Sequence, residues 1–197
     1  MDSSLDWLLA ALLGYALGSI PFGLILTRAA GLGDVRSIGS GNIGATNVLR
    51  TGNKKVAAAT LLLDGLKGFF AVWLAWRLFS EAAGYAALGA VLGHCFPVWL
   101  GFKGGKGVAT TAGVCFGLGW PIGLAYAVAW LLTLTVVRIS SVAGMVAVIA
   151  APVLAAVLDR WELVPVLAAI ALIVVLLHRE NIARLMKGEE PRVGSKR

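Results

Sequence analysis

The chain has 197 residues, of which 59% are hydrophobic and only 14% are charged, and its mean hydropathy is +0.87. Soluble domains contain roughly 45–50% apolar and about 25% charged residues, and a small globule has too little interior to bury the excess. The composition therefore excludes a soluble globular domain, a disordered chain and a disulfide-stapled secreted module. A polytopic membrane protein remains.

Seven apolar segments follow one another, and each is a candidate membrane span. They are Leu5–Leu26, Val56–Phe79, Ala83–Leu100, Val108–Gly119, Pro121–Val137, Ile139–Leu158 and Leu163–Leu177. The first begins with Asp2 and Asp6 rather than with basic residues, which argues against a secretory signal. The fourth is short, because its helix reaches only about 18 Å across a core of roughly 30 Å. It is either a short, tilted or re-entrant piece or part of one helix kinked at Pro121.

The basic residues favour seven separate spans with the N-terminus outside. In that topology the inner segments hold 14 of the 17 lysines and arginines, and the inner side has a net charge of +10 against −3 outside. Fusing the fourth and fifth segments would put the basic tail, with Lys196 and Arg197, on the outer side, against the positive-inside rule. We therefore predict an all-α integral membrane protein with about seven transmembrane helices, N-out and C-in, forming one domain over 1–197.

The first polar cluster on the predicted inner side is Ser37–Arg50. Its Gly39-Ser-Gly-Asn-Ile-Gly44 matches a dinucleotide fingerprint only in form, because no βαβ unit surrounds it. Glycines allow a backbone to approach an anion, and successive N–H groups form an anion nest. Arg50 adds a planar cation suited to phosphate. The cluster is therefore either a phosphate-binding loop or a flexible loop with an interfacial arginine.

The second cluster is Gly93–Thr110, in which Lys103-Gly-Gly-Lys-Gly107 leads into a helical segment at Val108. The spacing does not fit a Walker A loop. A glycine loop before a helix N-terminus still favours an anion site, to which Lys106 adds charge. His94 is alternatively a satisfied histidine at a helix end.

The third cluster, His178–Glu190, follows the last span. On a helix His178 and Asn181 share a face, whereas Arg184 and Lys187 are expected to meet anionic headgroups. Asp64 and Lys67 lie three residues apart inside a predicted membrane span, and they predict a buried structural pair rather than direct lining of the site.

Metal or nucleophilic chemistry is not indicated. The acidic residues make no metal-ligand spacing, and Cys95 and Cys115 are expected to be buried small hydrophobes.

The three clusters together resemble the signature motifs of the bacterial glycerol-3-phosphate acyltransferase family PlsY. The matching stretches are Gly39-Ser-Gly-Asn-Ile-Gly-Ala-Thr-Asn-Val-Leu-Arg50, Gly93-His94 with Pro97-Val98 and Gly104-Gly-Lys-Gly-Val-Ala-Thr110, and His178-Arg-Glu-Asn181. The resemblance implies an inner-membrane enzyme that transfers an acyl group from acyl phosphate to the 1-hydroxyl of glycerol 3-phosphate. The products are lysophosphatidic acid and phosphate, in the first step of phospholipid synthesis. It further implies a donor supplied by a PlsX-type enzyme, contact with membrane lipid, a cytoplasmic active site and no cofactor.

The resemblance also suggests roles for individual residues. The catalytic set is Ser40, Arg50 and Lys106 on the phosphates, with His178 and Asn181 on the glycerol hydroxyls. Further substrate-binding candidates are Gly39, Gly41, Asn42, Gly44, Thr46, Asn47, His94, Gly104, Gly105 and Gly107. The proton acceptor is either His178 or the donor's phosphate, and the latter is favoured because no carboxylate is placed to orient a histidine base.

A transporter of phosphate esters is the alternative function, because half-helix N-termini facing an anion are a transporter device. Transporters place such sites near the midplane and often contain paired halves. Here all three motifs lie on one predicted side and no internal repeat is visible. The net charge of +7 is explained by topology and does not point to nucleic acid.

Overall fold

The computed structural model describes residues 3–79 and 81–194, and the regular structure in these ranges is helical. The α-helices are α1 (Ser3–Gly18), α2 (Phe22–Ala29), α3 (Ala45–Val48), α4 (Lys54–Leu78), α5 (Ala83–Cys95), α6 (Val108–Leu118), α7 (Trp120–Val137), α8 (Ser140–Val157), α9 (Val164–Leu177) and α10 (Arg179–Met186). Asp2, Lys196 and Arg197, which entered the charge argument, lie outside the described residues.

Each of the seven predicted segments contains a helix. In the described residues, five stretches are long and apolar enough to cross a membrane, or six if the bent pair Trp161–Leu177 and Arg179–Met186 is one span. The helix α6 is apolar but shorter. The membrane-protein class and the all-helical fold are confirmed, while the number of spans and the orientation of the termini stay predictions.

The first predicted span is interrupted. The helix α1 ends at Gly18 and α2 begins at Phe22, because Pro21 lacks an N–H group and its ring would clash with a carbonyl one turn earlier. In the third segment the α-helix ends at Cys95, before Pro97, and a 3₁₀ turn covers Val98–Leu100.

The alternative of one helix across Pro121 is wrong. Gly119 has an extended backbone between α6 and α7, and the Tyr126 hydroxyl donates to the Val108 carbonyl at 2.8 Å. In a continuous helix these two residues would be about 27 Å apart along the axis. The two helices therefore fold back on each other, as the separate-segment prediction requires.

Small residues bring two helix pairs into close contact. A Cβ on Gly14 or Gly18 of α1 would lie within 2.1 Å of the Ala86 or Ala90 carbonyl oxygen of α5. A Cβ on Gly113 of α6 would lie 1.8 Å from the Gly65 oxygen of α4. Backbones approach this closely in membrane helices where side chains are small. The matched residue numbers rise together in the first pair, so α1 is parallel to α5.

Candidate active site

The three polar clusters meet at one end of the helical bundle. The Lys106 ammonium before α6 donates to the Asn181 carboxamide of α10. The Asn42 amide of the first cluster donates to the Gly104 carbonyl of the second at 3.4 Å. The predicted convergence of segments that are distant in sequence is therefore present in the structure.

The Asn47 side chain holds the first loop in shape. Its amide nitrogen lies 2.8 Å from the carbonyl oxygens of Val35 and Asn42 and 3.1 Å from that of Ile38, and its oxygen accepts from the Ser40 amide at 3.0 Å. Asn47 is 3% exposed. Its side chain is therefore occupied within the loop, whereas Ser40 and Thr46 are exposed.

The Arg50 side chain lies against Gly39. A Cβ on Gly39 would be 2.4 Å from Arg50 Nη1 and 2.6 Å from Arg50 Cδ, and Gly39 has φ +55. Both the backbone conformation and the space therefore require glycine. Arg50 is exposed, and its side chain lies beside Gly39 of the first loop.

We expected the N–H groups of the two loops to be available to an anion. In the structure many of them already donate to acceptors within the protein. Gly41 donates to Ile38 at 3.0 Å and Gly44 to the Asn42 side chain at 2.9 Å. Gly104 donates to the Cys95 carbonyl at 3.1 Å and Gly105 to the His94 carbonyl at 3.0 Å. The capacity to bind an anion therefore rests mainly on side chains rather than on these amides.

Lys106 is presented at the start of α6. Gly107 precedes this helix with φ +87, a conformation that favours glycine. Burial, together with repulsion from the Arg184 guanidinium, lowers the pKa of Lys106. The ammonium is thus a partly desolvated cation, which interacts with an anion more strongly than one in water.

Glu190 is a site residue that the sequence analysis did not identify. Its carboxylate accepts hydrogen bonds from Ser141 at 2.7 Å, from Arg184 at 2.7 Å and from the Asn181 amide. Burial raises the pKa of Glu190, but these hydrogen bonds outweigh it and the net pKa is lowered. Arg184, which was expected to meet headgroups, forms an ion pair with the Glu190 side chain, which is 5% exposed. In the sequence Glu190 is one of two adjacent glutamates in a basic tail, and this pattern does not indicate such a role.

His178 lies at the bend between α9 and α10 and is 3% exposed. Its Nδ1 is 2.7 Å from the Val174 carbonyl oxygen. A proton on Nδ1 would leave Nε2 as a hydrogen-bond acceptor. Burial lowers the pKa of His178, so the neutral imidazole is favoured near neutral pH. A backbone carbonyl thus orients this ring in place of a carboxylate.

The His94 ring is buried beside Gly105 of the second loop. It is 3% exposed, and its Nδ1 is 3.7 Å from Asp64 Oδ1. Asp64 pairs with Lys67 at 2.7 Å, which confirms the predicted buried pair.

The described residues offer no group of three or more His, Cys, Asp or Glu side chains that would hold a metal ion. Cys95 and Cys115 are buried, as expected.

The chain matches a known protein family. The sequence profile of the family described as Glycerol-3-phosphate acyltransferase matches residues 8–188. A protein of that name from Erythrobacter litoralis is 69% identical over the whole length of both chains. Its counterpart from Mesorhizobium japonicum is 57% identical over 96% of this chain and 97% of its own.

Two solved structures have the same fold. The crystal structure of PlsY, an integral membrane glycerol 3-phosphate acyltransferase, in its glycerol 3-phosphate form superposes with a TM-score of 0.88. It is 37% identical and covers 98% of this chain and 96% of its own. The lysophosphatidic acid form also has a TM-score of 0.88, at 38% identity over 95% of both chains. The chain therefore belongs to the glycerol-3-phosphate acyltransferase (PlsY) family of integral membrane proteins.

Proposed function

We propose that this acyltransferase uses acyl phosphate as its donor and esterifies the 1-hydroxyl of glycerol 3-phosphate. The observation that carries the proposal is the meeting of Lys106 with Asn181, next to a buried, oriented His178. Two phosphate-bearing substrates need cationic groups, and the reacting hydroxyl needs a hydrogen-bonding group that orients it. The family assignment favours this enzyme over the transporter alternative.

Arg50, Lys106 and Ser40 bind the phosphate groups in this proposal. Arg50 contributes a planar fork that suits two phosphate oxygens, and Lys106 contributes a partly desolvated charge. Gly39, Gly41 and Gly44 shape the first loop, and Gly104, Gly105 and Gly107 shape the second. Their amides act mainly through this loop structure, because most of those described above donate to protein acceptors.

His178 and Asn181 orient the glycerol hydroxyls. The 1-hydroxyl oxygen attacks the acyl carbonyl carbon, the bond from that carbon to the phosphate oxygen breaks, and the departing phosphate takes the hydroxyl proton. Phosphate monoesters titrate near pH 6, so the leaving group is a competent acceptor. Neutral His178 is the other route for the proton, because Val174 holds its ring. No covalent enzyme intermediate is needed, and orientation supplies much of the acceleration.

The remaining candidate residues have other roles. Asn42 links the two loops through Gly104, and Asn47 maintains the first loop. Thr46 is exposed on α3 and is a further contact to substrate in this proposal.

The whole chain is one catalytic unit of the bacterial cytoplasmic membrane in this proposal. The site opens at the cytoplasmic side, with the N-terminus outside, and receives its donor from a PlsX-type enzyme and the lipid phase. The excess of basic residues near this end of the bundle supports that orientation. A C-terminal reporter should be accessible only from the cytoplasm; labelling from outside would overturn it.

The donor is tested by phosphate release from purified protein in detergent or lipid, without added metal. Glycerol 3-phosphate is supplied with palmitoyl phosphate and, in parallel, with palmitoyl-CoA. We expect phosphate and lysophosphatidic acid in equal amounts with palmitoyl phosphate and little product with the thioester. Product from palmitoyl-CoA alone would refute the donor and retain the acyltransferase.

A further inference from the structure

Asp64, Lys67 and His94 form a buried polar cluster that the proposed chemistry does not use. The three side chains are 2–3% exposed. Lys67 Nζ is 2.7 Å from Asp64 Oδ1, and His94 Nδ1 is 3.7 Å from the same oxygen. Buried charges are costly unless they are paired, so the cluster needs a structural or functional reason.

The cluster joins three parts of the bundle. Asp64 and Lys67 belong to α4, and His94 is in the last turn of α5. Lys67 also donates to the Ile20 carbonyl at 2.7 Å, where α1 gives way to α2. The His94 backbone belongs to α5, and its ring lies beside the Asp64–Lys67 pair on α4.

The His94 ring fills the space beside Gly105. A Cβ on Gly105 would lie 1.9 Å from His94 Nε2 and 2.7 Å from Cε1. The Gly105 amide donates to the carbonyl of the same histidine at 3.0 Å. His94 thus supports the loop with both its backbone and its side chain, one residue before Lys106.

We infer that His94 is a positioning residue that holds the Gly104–Gly107 loop so that Lys106 reaches Asn181 and the substrate phosphate. It acts through its ring packed beneath Gly105 and does not contact substrate. The inference deepens the proposed function, because it rests on Lys106 as a ligand of glycerol 3-phosphate.

The test is a double-mutant cycle between His94 and Gly105. Gly105→Ala adds a methyl group that collides with the His94 ring, and His94→Ala removes that ring. Gly104→Ala is the matched control, because its methyl group would meet the His94 backbone oxygen at 2.1 Å and the Cys95 oxygen at 2.7 Å. Those atoms remain in His94→Ala.

The readouts are KM and kcat for glycerol 3-phosphate, with any donor that supports turnover, and equilibrium binding of labelled glycerol 3-phosphate. We expect Gly105→Ala to raise KM and Kd about tenfold relative to wild type. In the His94→Ala background, the same substitution should raise KM and Kd less than about twofold relative to His94→Ala alone. This non-additivity lies within the usual coupling range of contacting residues. Gly104→Ala should have the same effect in both backgrounds.

Equal effects of Gly105→Ala in both backgrounds would overturn the inference, as would loss of the Gly104→Ala effect in His94→Ala. Thermal unfolding in detergent checks that each variant is folded. If His94→Ala does not fold, His94→Asn replaces it, because its shorter side chain also leaves the position of Nε2 empty. Failure of palmitoyl phosphate as donor would refute only the proposed donor, because the binding cycle needs no acyl group.

Discussion

The Lys106 ammonium donates a hydrogen bond to the Asn181 carboxamide and so connects the second polar cluster to the third. The Asn181 amide group in turn donates to Glu190. Asn181 is therefore fixed by a cation on one side and a carboxylate on the other. Its orientation follows from this pair of contacts, since the oxygen faces Lys106 and the nitrogen faces Glu190.

Replacing Lys106 should weaken substrate binding specifically. Hydrogen bonds to charged groups contribute about 1.5–3 kcal/mol, so we expect Lys106→Gln to lower kcat/KM for glycerol 3-phosphate roughly 10- to 100-fold. Lys103→Gln is the matched control, because Lys103 is an exposed lysine of the same loop. It should retain near-wild-type kinetics. Comparable losses in both variants would show that overall loop charge, rather than the placed ammonium, is responsible.

The contact between Gly39 and Arg50 predicts a second loss of activity. Gly39→Ala places a methyl group 2.4 Å from both Arg50 Nη1 and Asn47 Oδ1, so the guanidinium and the side chain that holds the first loop must both move. Gly52→Ala has the same kind of backbone strain, with φ +85, but its methyl group meets nothing within 4 Å. We expect both variants to lose stability at a positive φ and only Gly39→Ala to lose activity. Measurement of kcat/KM beside the unfolding temperature separates the two effects.

Arg50→Lys tests the guanidinium itself. A lysine keeps the charge but not the planar fork with its paired donors, so we expect most of the activity to be lost. Arg77→Lys, at the last turn of α4 beside Trp73, is a matched control away from the three clusters. Near-full activity of Arg50→Lys in the phosphate-release assay would show that charge alone suffices.

The hydrophobic pattern predicted the helices and the meeting of the three clusters, because the predicted topology puts all three clusters on the same side of the membrane. The pattern could not show how loop amides are used. Glycine spacing suggested anion-binding nests. In the structure, the Asn42 and Asn47 side chains and the carbonyls at the end of α5 accept hydrogen bonds from several of those amides. Such competition depends on tertiary contacts that glycine spacing alone does not encode.

Glu190 was missed for a related reason. Two of its partners, Asn181 and Arg184, lie on α10, and Ser141 lies 49 residues away at the start of α8. In the sequence the residue is one of two adjacent glutamates in a charged tail. A carboxylate of this kind is ordinarily solvated. Only the fold shows that it connects the third cluster to α8 through its hydrogen bond with Ser141.

Glu190→Gln should destabilise the protein in a pH-dependent way. The pKa of Glu190 is lower in the folded protein than its ordinary value, so its contribution to stability is present above about pH 4.3 and is lost as pH falls through the folded pKa. We expect the unfolding temperature of Glu190→Gln to be below that of wild type at pH 7, with a smaller gap near pH 4. Glu189→Gln is the control at the adjacent, exposed glutamate. A gap that stays constant from pH 7 to pH 4 would mean that the carboxylate charge contributes nothing.

The pH profile of the reaction reports on His178. Burial lowers the pKa of this histidine below its ordinary value near 6.5, and only the neutral ring offers Nε2 as an acceptor to the glycerol hydroxyl. We therefore expect kcat/KM for glycerol 3-phosphate to be level above about pH 6.5 and to fall at more acidic pH as His178 is protonated. His178→Gln keeps a hydrogen-bonding group but cannot titrate, so any acidic limb that remains in it belongs to another group, a substrate phosphate or the Glu190 carboxylate. If His178→Gln abolishes turnover while both substrates bind with wild-type affinity, the histidine is the base. If it retains a reduced rate with a weaker affinity for glycerol 3-phosphate, the departing phosphate takes the proton and His178 orients the hydroxyl.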